Sequence, residues 1–154
     1  MFADSILQFL KQLKITTPLP KGVEVLNPYR NEITYALCEQ FYNKYYGDNN
    51  NRRLILGINP GRHGAGLTGI PFTDPIKLEM YCGIPNNLPK KSELSADFIY
   101  QMILAYGGLE QFYGKFHFSA VSPLGFVILA LAHHLVQLVH ARRKLKDLKV
   151  EIYY

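Results

Sequence analysis

Apolar side chains follow two different rhythms along the chain, one typical of helices and one typical of buried strands. Over residues 4–13 they lie three or four positions apart, which predicts a helix with Asp4 or Ser5 as its cap. Two prolines and a glycine within residues 16–22 interrupt this spacing and predict a break. A second helix is predicted over residues 32–45, where apolar side chains recur every four positions.

The apolar run of residues 54–56 has no polar interruption and predicts a strand buried on both faces of a parallel sheet. The polar segment of residues 47–53 before it predicts a surface loop. After Gly57 the chain enters a glycine-rich loop that includes Asn59 and Pro60. Open α/β sheets bind their ligands at the carboxyl ends of strands, so this loop is the predicted site. It is neither a Walker A motif nor a GxGxxG fingerprint, because the glycines fall at other spacings.

Further helices are predicted between this strand and a second one. Asp74 and Pro75 are suited to the cap and the first position of a short helix. Another helix is predicted from Ser95 to a stop at residues 107–108, which are both glycine. Residues 116–121 then predict the second strand.

The end of the chain predicts a helix and a short strand. An apolar run at helical spacing covers residues 127–139, and a basic stretch over residues 141–146 continues it. At about a dozen residues this run is too short to cross a bilayer. Residues 149–154 alternate in polarity and predict a closing strand.

Composition narrows the classes of function. The chain has 154 residues, a formal net charge of +5 and a pI near 9.2, which favours anionic partners, nucleic acid first among them. Its only cysteines, Cys38 and Cys82, form no CxxC pair, so a Cys₄ zinc or iron–sulfur site is excluded and no metal is expected. Reduced thiols and the lack of a secretory signal predict an intracellular protein, cytoplasmic in a prokaryote or nuclear in a eukaryote. The length predicts a single domain over residues 1–154.

Two blocks in the glycine-rich region resemble a known motif. Residues 57–61 read G-I-N-P-G, and residues 68–72 read T-G-I-P-F. At this separation they are similar to the first active-site motif of the uracil-DNA glycosylase superfamily. The resemblance is closest to the single-strand-selective monofunctional branch, with G-M-N-P-G and T-G-V-P-F. A motif-bearing core of about residues 53–126 carries it.

The resemblance implies an α/β fold, a three-layer α/β/α sandwich around a short, mainly parallel sheet. It implies a monofunctional DNA glycosylase that acts in base-excision repair and hydrolyses the N-glycosidic bond of a flipped uracil or related damaged base. The family's water-positioning asparagine corresponds to Asn59, and its base-stacking phenylalanine to Phe72. No cofactor and no membrane are implied, the partner is DNA, and a monomer is expected. The base-binding candidates are Gly57, Ile58, Phe72 and Ser122. The phosphate-binding candidates are Pro60, Gly61, Arg62, His63 and Gly64.

Each of these residues also has a plainer interpretation. An asparagine such as Asn59 often satisfies backbone groups in a turn, and a phenylalanine such as Phe72 is more often part of a core. His63 is as well suited to a solvated loop as to a phosphate. The second sequence block reverses this preference for Asn59 and favours a role in a base pocket.

The sequence departs from the family in two places. Ala120 stands where the family has its base-reading asparagine, and Ser119 or Ser122 is the candidate replacement. Nothing after Phe126 matches the family's second catalytic motif, a His-Pro-Ser-like loop. Three hypotheses therefore remain open: an active glycosylase, a catalytically impaired nucleic-acid-binding domain of the same fold, and a truncated form of a longer glycosylase-like protein.

Overall fold

A computed structural model of the chain describes residues 1–128. The helices are α1 (Phe2–Gln12), a 3₁₀ turn (Pro28–Arg30), α2 (Glu32–Tyr46), α3 (Ala65–Thr68), α4 (Pro75–Met80), α5 (Leu94–Ala105) and α6 (Leu109–Lys115). The strands are β1 (Val23–Leu26), β2 (Arg53–Gly57), β3 (Phe116–Ala120) and β4 (Gly125–Ile128). The predicted strand over residues 149–154 lies outside the described residues, as does the predicted helix beyond Ile128.

The chain divides into two units, and the larger one contains the predicted site. It consists of Met1–Ile15 and Leu26–Gly125. The described part of the smaller unit comprises Thr16–Val25 and residues 126–128. Most of β1 belongs to this smaller unit, and β1 pairs with β4 in a two-stranded sheet. The helix predicted from residue 127 onward is wrong at its start, since that residue lies in β4.

Strands β2 and β3 pair in parallel, in a register that runs from Arg53 opposite Phe116 to Gly57 opposite Ala120. The carboxyl ends of both strands therefore lie side by side. The pairing continues beyond β2, because the Ser122 amide donates to the Ile58 carbonyl at 2.9 Å. This arrangement brings the loop after β2 and the loop after β3 to one edge of the sheet.

Aromatic side chains form most of the core beside β3. The rings of Phe41 and Tyr113 meet edge to face at 5.3 Å, and those of Phe112 and Phe118 stack, also at 5.3 Å. Edge-to-face and offset-stacked pairs are the favoured arrangements of aromatic rings. Helices α2 and α6 are thereby packed against each other and against the strand.

Arg52 ties three elements together. Its guanidinium donates to both carboxylate oxygens of Asp48, at 2.7 and 2.9 Å, and to the carbonyls of Tyr45 and Tyr113. The centre of the guanidinium lies 4.8 Å from the Tyr46 ring, which is cation–π distance. Only 1% of the Arg52 side chain is exposed, so the prediction that residues 47–53 form a surface loop is wrong at this position.

Most predicted elements are confirmed, with differences at their ends. Helix α1 begins at Phe2, and Asp4 lies in its first turn as a partner of the Met1 amine instead of capping it. Helix α6 was not predicted. The strand predicted to be buried on both faces is β2, but Leu54 is 57% exposed and Leu56 is 54% exposed.

Candidate active site

The loop after β2 presents Asn59 at the edge of the sheet. Pro60 follows it, and the chain closes back on itself where the Gly66 amide donates to the Gly61 carbonyl at 2.8 Å. The Asn59 side chain is exposed at the carboxyl end of the strand, the place where open α/β sheets bind ligands.

A buried hydrogen-bond network shapes the turn that carries Phe72. The Thr68 hydroxyl donates to the Thr73 carbonyl at 2.6 Å and accepts from the Ile70 amide at 3.1 Å. The Thr73 hydroxyl lies 3.1 Å from that of Tyr100. Within residues 1–128, Phe72 is the one non-glycine residue with a positive φ, at 55°. A left-handed conformation costs about 1 kcal/mol or more, and such strain is often kept at functional positions.

The tip of the Phe72 ring lies against Gly57. A Cβ atom at Gly57 would approach the ring to 2.9 Å, closer than van der Waals contact permits. The ring also meets Phe118 edge to face, with the centroids 5.0 Å apart. The two sequence blocks are therefore in contact, and the glycine of the first block makes room for the phenylalanine of the second.

These residues surround a cavity of about 820 Å³. The predicted site residues that line it are Gly57, Ile58, Asn59, Pro60, Gly61 and Phe72. Four other predicted site residues do not line the described part of this cavity: Arg62, His63, Gly64 and Ser122. Arg62 is exposed and His63 is half-buried in the same loop. The Ser122 hydroxyl donates to the Leu124 carbonyl at 2.9 Å, which closes the turn after β3.

Three further lining residues bear on base recognition and chemistry. Ser119 and Ala120 line the cavity at the end of β3, and Ala120 brings no polar side-chain atom to it. Glu93 also lines the cavity and was not predicted from the sequence. Its place in the wall depends on tertiary contacts, so no local sequence signal could have revealed it.

Asp74 anchors the segment that carries Glu93. The Asp74 carboxylate is fully buried and accepts from the Ile76 and Lys77 amides at 3.0 and 2.8 Å, which confirms it as the cap of α4. It also accepts from the Glu93 backbone amide at 3.1 Å. Burial acts to lower the pKa of Lys77, but hydrogen bonding to Asp97 and the charge of Asp74 outweigh it and raise that pKa. The first turn of α4 and the segment before α5 are thus held together at the edge of the cavity.

Within residues 1–128, no group of three or more His, Cys, Asp or Glu side chains is placed to hold a metal ion. None of the helices in that range is long and apolar enough to cross a membrane.

Comparison with known proteins agrees with the geometry of the site. Residues 44–152 match the profile of the family described as the uracil DNA glycosylase superfamily. The crystal structure of wild-type SMUG2 from Pedobacter heparinus is 43% identical in sequence to this chain. It superposes with a TM-score of 0.78, and the match covers 94% of this chain and 70% of that one. No curated protein matches the chain.

The matches favour the glycosylase hypothesis over an impaired binding domain, and they confirm the predicted α/β fold and DNA as the partner. The chain belongs to the uracil DNA glycosylase superfamily, in the branch of the single-strand-selective monofunctional enzymes, and its function is that of a DNA glycosylase in base-excision repair.

Proposed function

We propose that this chain hydrolyses the N-glycosidic bond of uracil or a related damaged base in DNA, with Asn59 holding the attacking water. The observation that carries the proposal is the contact between the two sequence blocks, which places Asn59 and Phe72 in the wall of one cavity. Enzymes that act on a base extrude it from the stack, at a cost of a few kcal/mol that damage reduces.

The base would be held chiefly by shape and stacking. The Phe72 ring, fixed by its strained turn and by Phe118, offers a face to the flipped base. Backbone amides after Gly57 would donate to a carbonyl oxygen of the base. Ala120 supplies no amide to read the Watson–Crick edge, so discrimination between bases would rest on these backbone groups and on Ser119 or Ser122.

Catalysis would depend on positioning and electrostatics. The bond to the base breaks through an oxocarbenium-like state at the sugar, and a water held by the Asn59 amide below C1′ needs little reorganisation to attack. No metal or organic cofactor is required by this chemistry.

The DNA strand would be gripped at the rim of the cavity by Arg62, which is exposed and permanently charged. Because the chain has a formal net charge of +5, its binding to DNA would depend on the salt concentration and would be largely independent of the DNA sequence. We further propose that the chain acts as a monomer, in a single domain, in the compartment that holds the DNA.

The proposal is tested by a cleavage assay on single- and double-stranded oligonucleotides that carry uracil, hypoxanthine or 5-hydroxymethyluracil. Asn59→Ala should lower the single-turnover rate by about 100-fold or more, because the attacking water is no longer positioned, while DNA binding persists. Asn87→Ala, at an exposed position outside the cavity wall, is the matched control and should leave the rate unchanged. Salt-sensitive binding without base release by the parent protein would instead identify an impaired binding domain.

A further inference from the structure

The Glu93 carboxylate lies against the loop that carries Asn59. A Cβ atom at Gly61 or at Gly64 would overlap its oxygens, so both glycines leave space that this carboxylate occupies. Glu93 is half-buried and lines the same cavity as Asn59. An acidic side chain therefore lies against Gly61, which is two residues after the predicted catalytic asparagine in the sequence.

Hydrogen bonds of its own backbone and of the neighbouring Ser92 fix the position of Glu93. Its backbone amide donates to the buried Asp74 carboxylate at 3.1 Å, and the neighbouring Ser92 hydroxyl donates to Asp97 at 3.1 Å. Glu93 occupies the cap position of α5, yet its side chain makes no hydrogen bond to that helix. Among the described residues, no side chain or backbone group forms a hydrogen bond with its carboxylate. The backbone is anchored while the carboxylate keeps its accepting capacity for a group inside the cavity.

Hydrolysis of the glycosidic bond requires a group that accepts a proton from the attacking water. An amide such as that of Asn59 orients a water by hydrogen bonding, but it does not accept a proton. A carboxylate does, and it also stabilises positive charge that develops on the sugar. Both functions are needed on the side of the cavity from which the water attacks.

We propose that Glu93 is a second catalytic residue of this glycosylase, accepting a proton from the water that Asn59 holds. The inference rests on the proposed function. The water oxygen bonds to C1′, the bond from C1′ to the base nitrogen breaks, and its electron pair leaves with the base. The water proton passes to the Glu93 carboxylate and then to solvent, while the departing base takes a proton from solvent.

This role of Glu93 also explains why positions 61 and 64 are glycine. They admit a carboxylate next to the backbone, and a phosphate at the same backbone would meet a like charge. Phosphate contact in this loop is therefore better assigned to Arg62, which is exposed, than to the two glycines.

The test compares Glu93→Gln with the parent protein on a uracil-containing oligonucleotide under single-turnover conditions. We expect the rate at saturating protein to fall about 100-fold or more, with the Kd for DNA unchanged or lower because a negative charge is lost. Glu93→Ala should recover part of the lost rate when formate is added. Glu110→Gln removes an exposed charge in α6 and should leave rate and Kd unchanged.

A second variant leaves Glu93 itself intact. Gly61→Ala places a methyl group where the carboxylate lies, and the flexible end of Glu93 must move away. It should lower the rate in the same direction as Glu93→Gln, with circular dichroism spectra that match the parent. Agreement between the two variants would locate the effect at the carboxylate.

Two results would overturn the proposal. A Glu93→Gln rate equal to that of the parent would exclude proton transfer to Glu93. Tighter DNA binding together with a faster rate would show that the carboxylate only occupies the place of a phosphate. If the parent releases no base, the proposed function itself fails, whereas an active parent with an equally active Glu93→Gln protein removes Glu93 alone.

Discussion

His117 makes the stability of this fold sensitive to mild acid. Its ring meets those of Phe2 and Tyr46 edge to face, each at 5.3 Å, and its buried Nδ1 has no hydrogen-bond partner among the described residues. Burial, and secondly the positive charge of Arg52, lower the pKa of His117 from 6.5 to about 4. Arg52 is the charged group that acts on this ring, and the rings of Phe2 and Tyr46 beside it carry no charge.

The sign and size of the effect follow from the two pKa values. Between pH 6.5 and pH 4 the unfolded chain binds a proton that the folded chain does not, so stability is lost as the pH falls through this window. One pKa unit corresponds to about 1.4 kcal/mol, and the loss between pH 7 and pH 5 is about 2 kcal/mol before solvent screening is considered. The ring is partly exposed, which reduces the expected loss to between about 1 and 2 kcal/mol.

The measurement is urea unfolding of the parent and of His117→Phe at pH 7 and at pH 5. Phenylalanine keeps an aromatic ring against Phe2 and Tyr46 but does not titrate. Because the carboxylates common to both proteins cancel, the parent should lose about 1 to 2 kcal/mol more than the variant on acidification. Equal losses in the two proteins would show that protonation of His117 does not destabilise the folded state, which would contradict this prediction.

Two further substitutions test the packing of the site and of the core. Gly57→Ala should move the Phe72 ring by several tenths of an ångström and lower the rate of base release about tenfold or more, because the new Cβ would lie 2.9 Å from the ring. Gly114→Ala, with open space around the added methyl group, is its control, and equal activity of the two variants would refute the stacking role. Arg52→Lys should lower the free energy of unfolding by about 2 to 3 kcal/mol in chemical denaturation, since an ammonium cannot reach Asp48 and the Tyr113 carbonyl together. A loss below about 0.5 kcal/mol would mean that Arg52 behaves as an ordinary surface residue.

Local structure could be predicted best where it is determined by residues that are adjacent in the sequence. Asp74 was predicted as a helix cap because an aspartate before a proline serves the first exposed amides, and it does so. A strand of a parallel sheet was predicted from the apolar run of residues 54–56, and the family resemblance indicated residues 116–121 as the next parallel strand; β2 and β3 pair in this way. The resemblance of the two sequence blocks to a family motif likewise predicted that Asn59 and Phe72 belong to one site.

Tertiary contacts account for what could not be predicted. Arg52 stands in a run of polar residues that reads as a loop, yet its partners come from the end of α2 and from α6. Glu93 lies more than thirty residues from Asn59 in sequence, and only folding brings it to the glycine-rich loop. The positive φ of Phe72 occurs in a turn whose neighbouring residues belong to a hydrogen-bond network that includes Tyr100, which lies in α5.

Asp74 connects two segments of the candidate site, the turn that carries Phe72 and the segment that carries Glu93. It follows directly on the Phe72 turn, so the carboxylate that caps α4 is fixed by the same segment that positions the stacking ring. Through the Glu93 amide, this carboxylate also holds the segment whose side chain lies against Gly61 and Gly64. A shift of the Phe72 turn would therefore move two parts of the site at once. These are the Phe72 ring, proposed to stack on the base, and the Glu93 side chain, proposed to accept the water proton. Coupling of this kind would keep the proposed base platform and the proposed proton acceptor aligned through a single buried carboxylate.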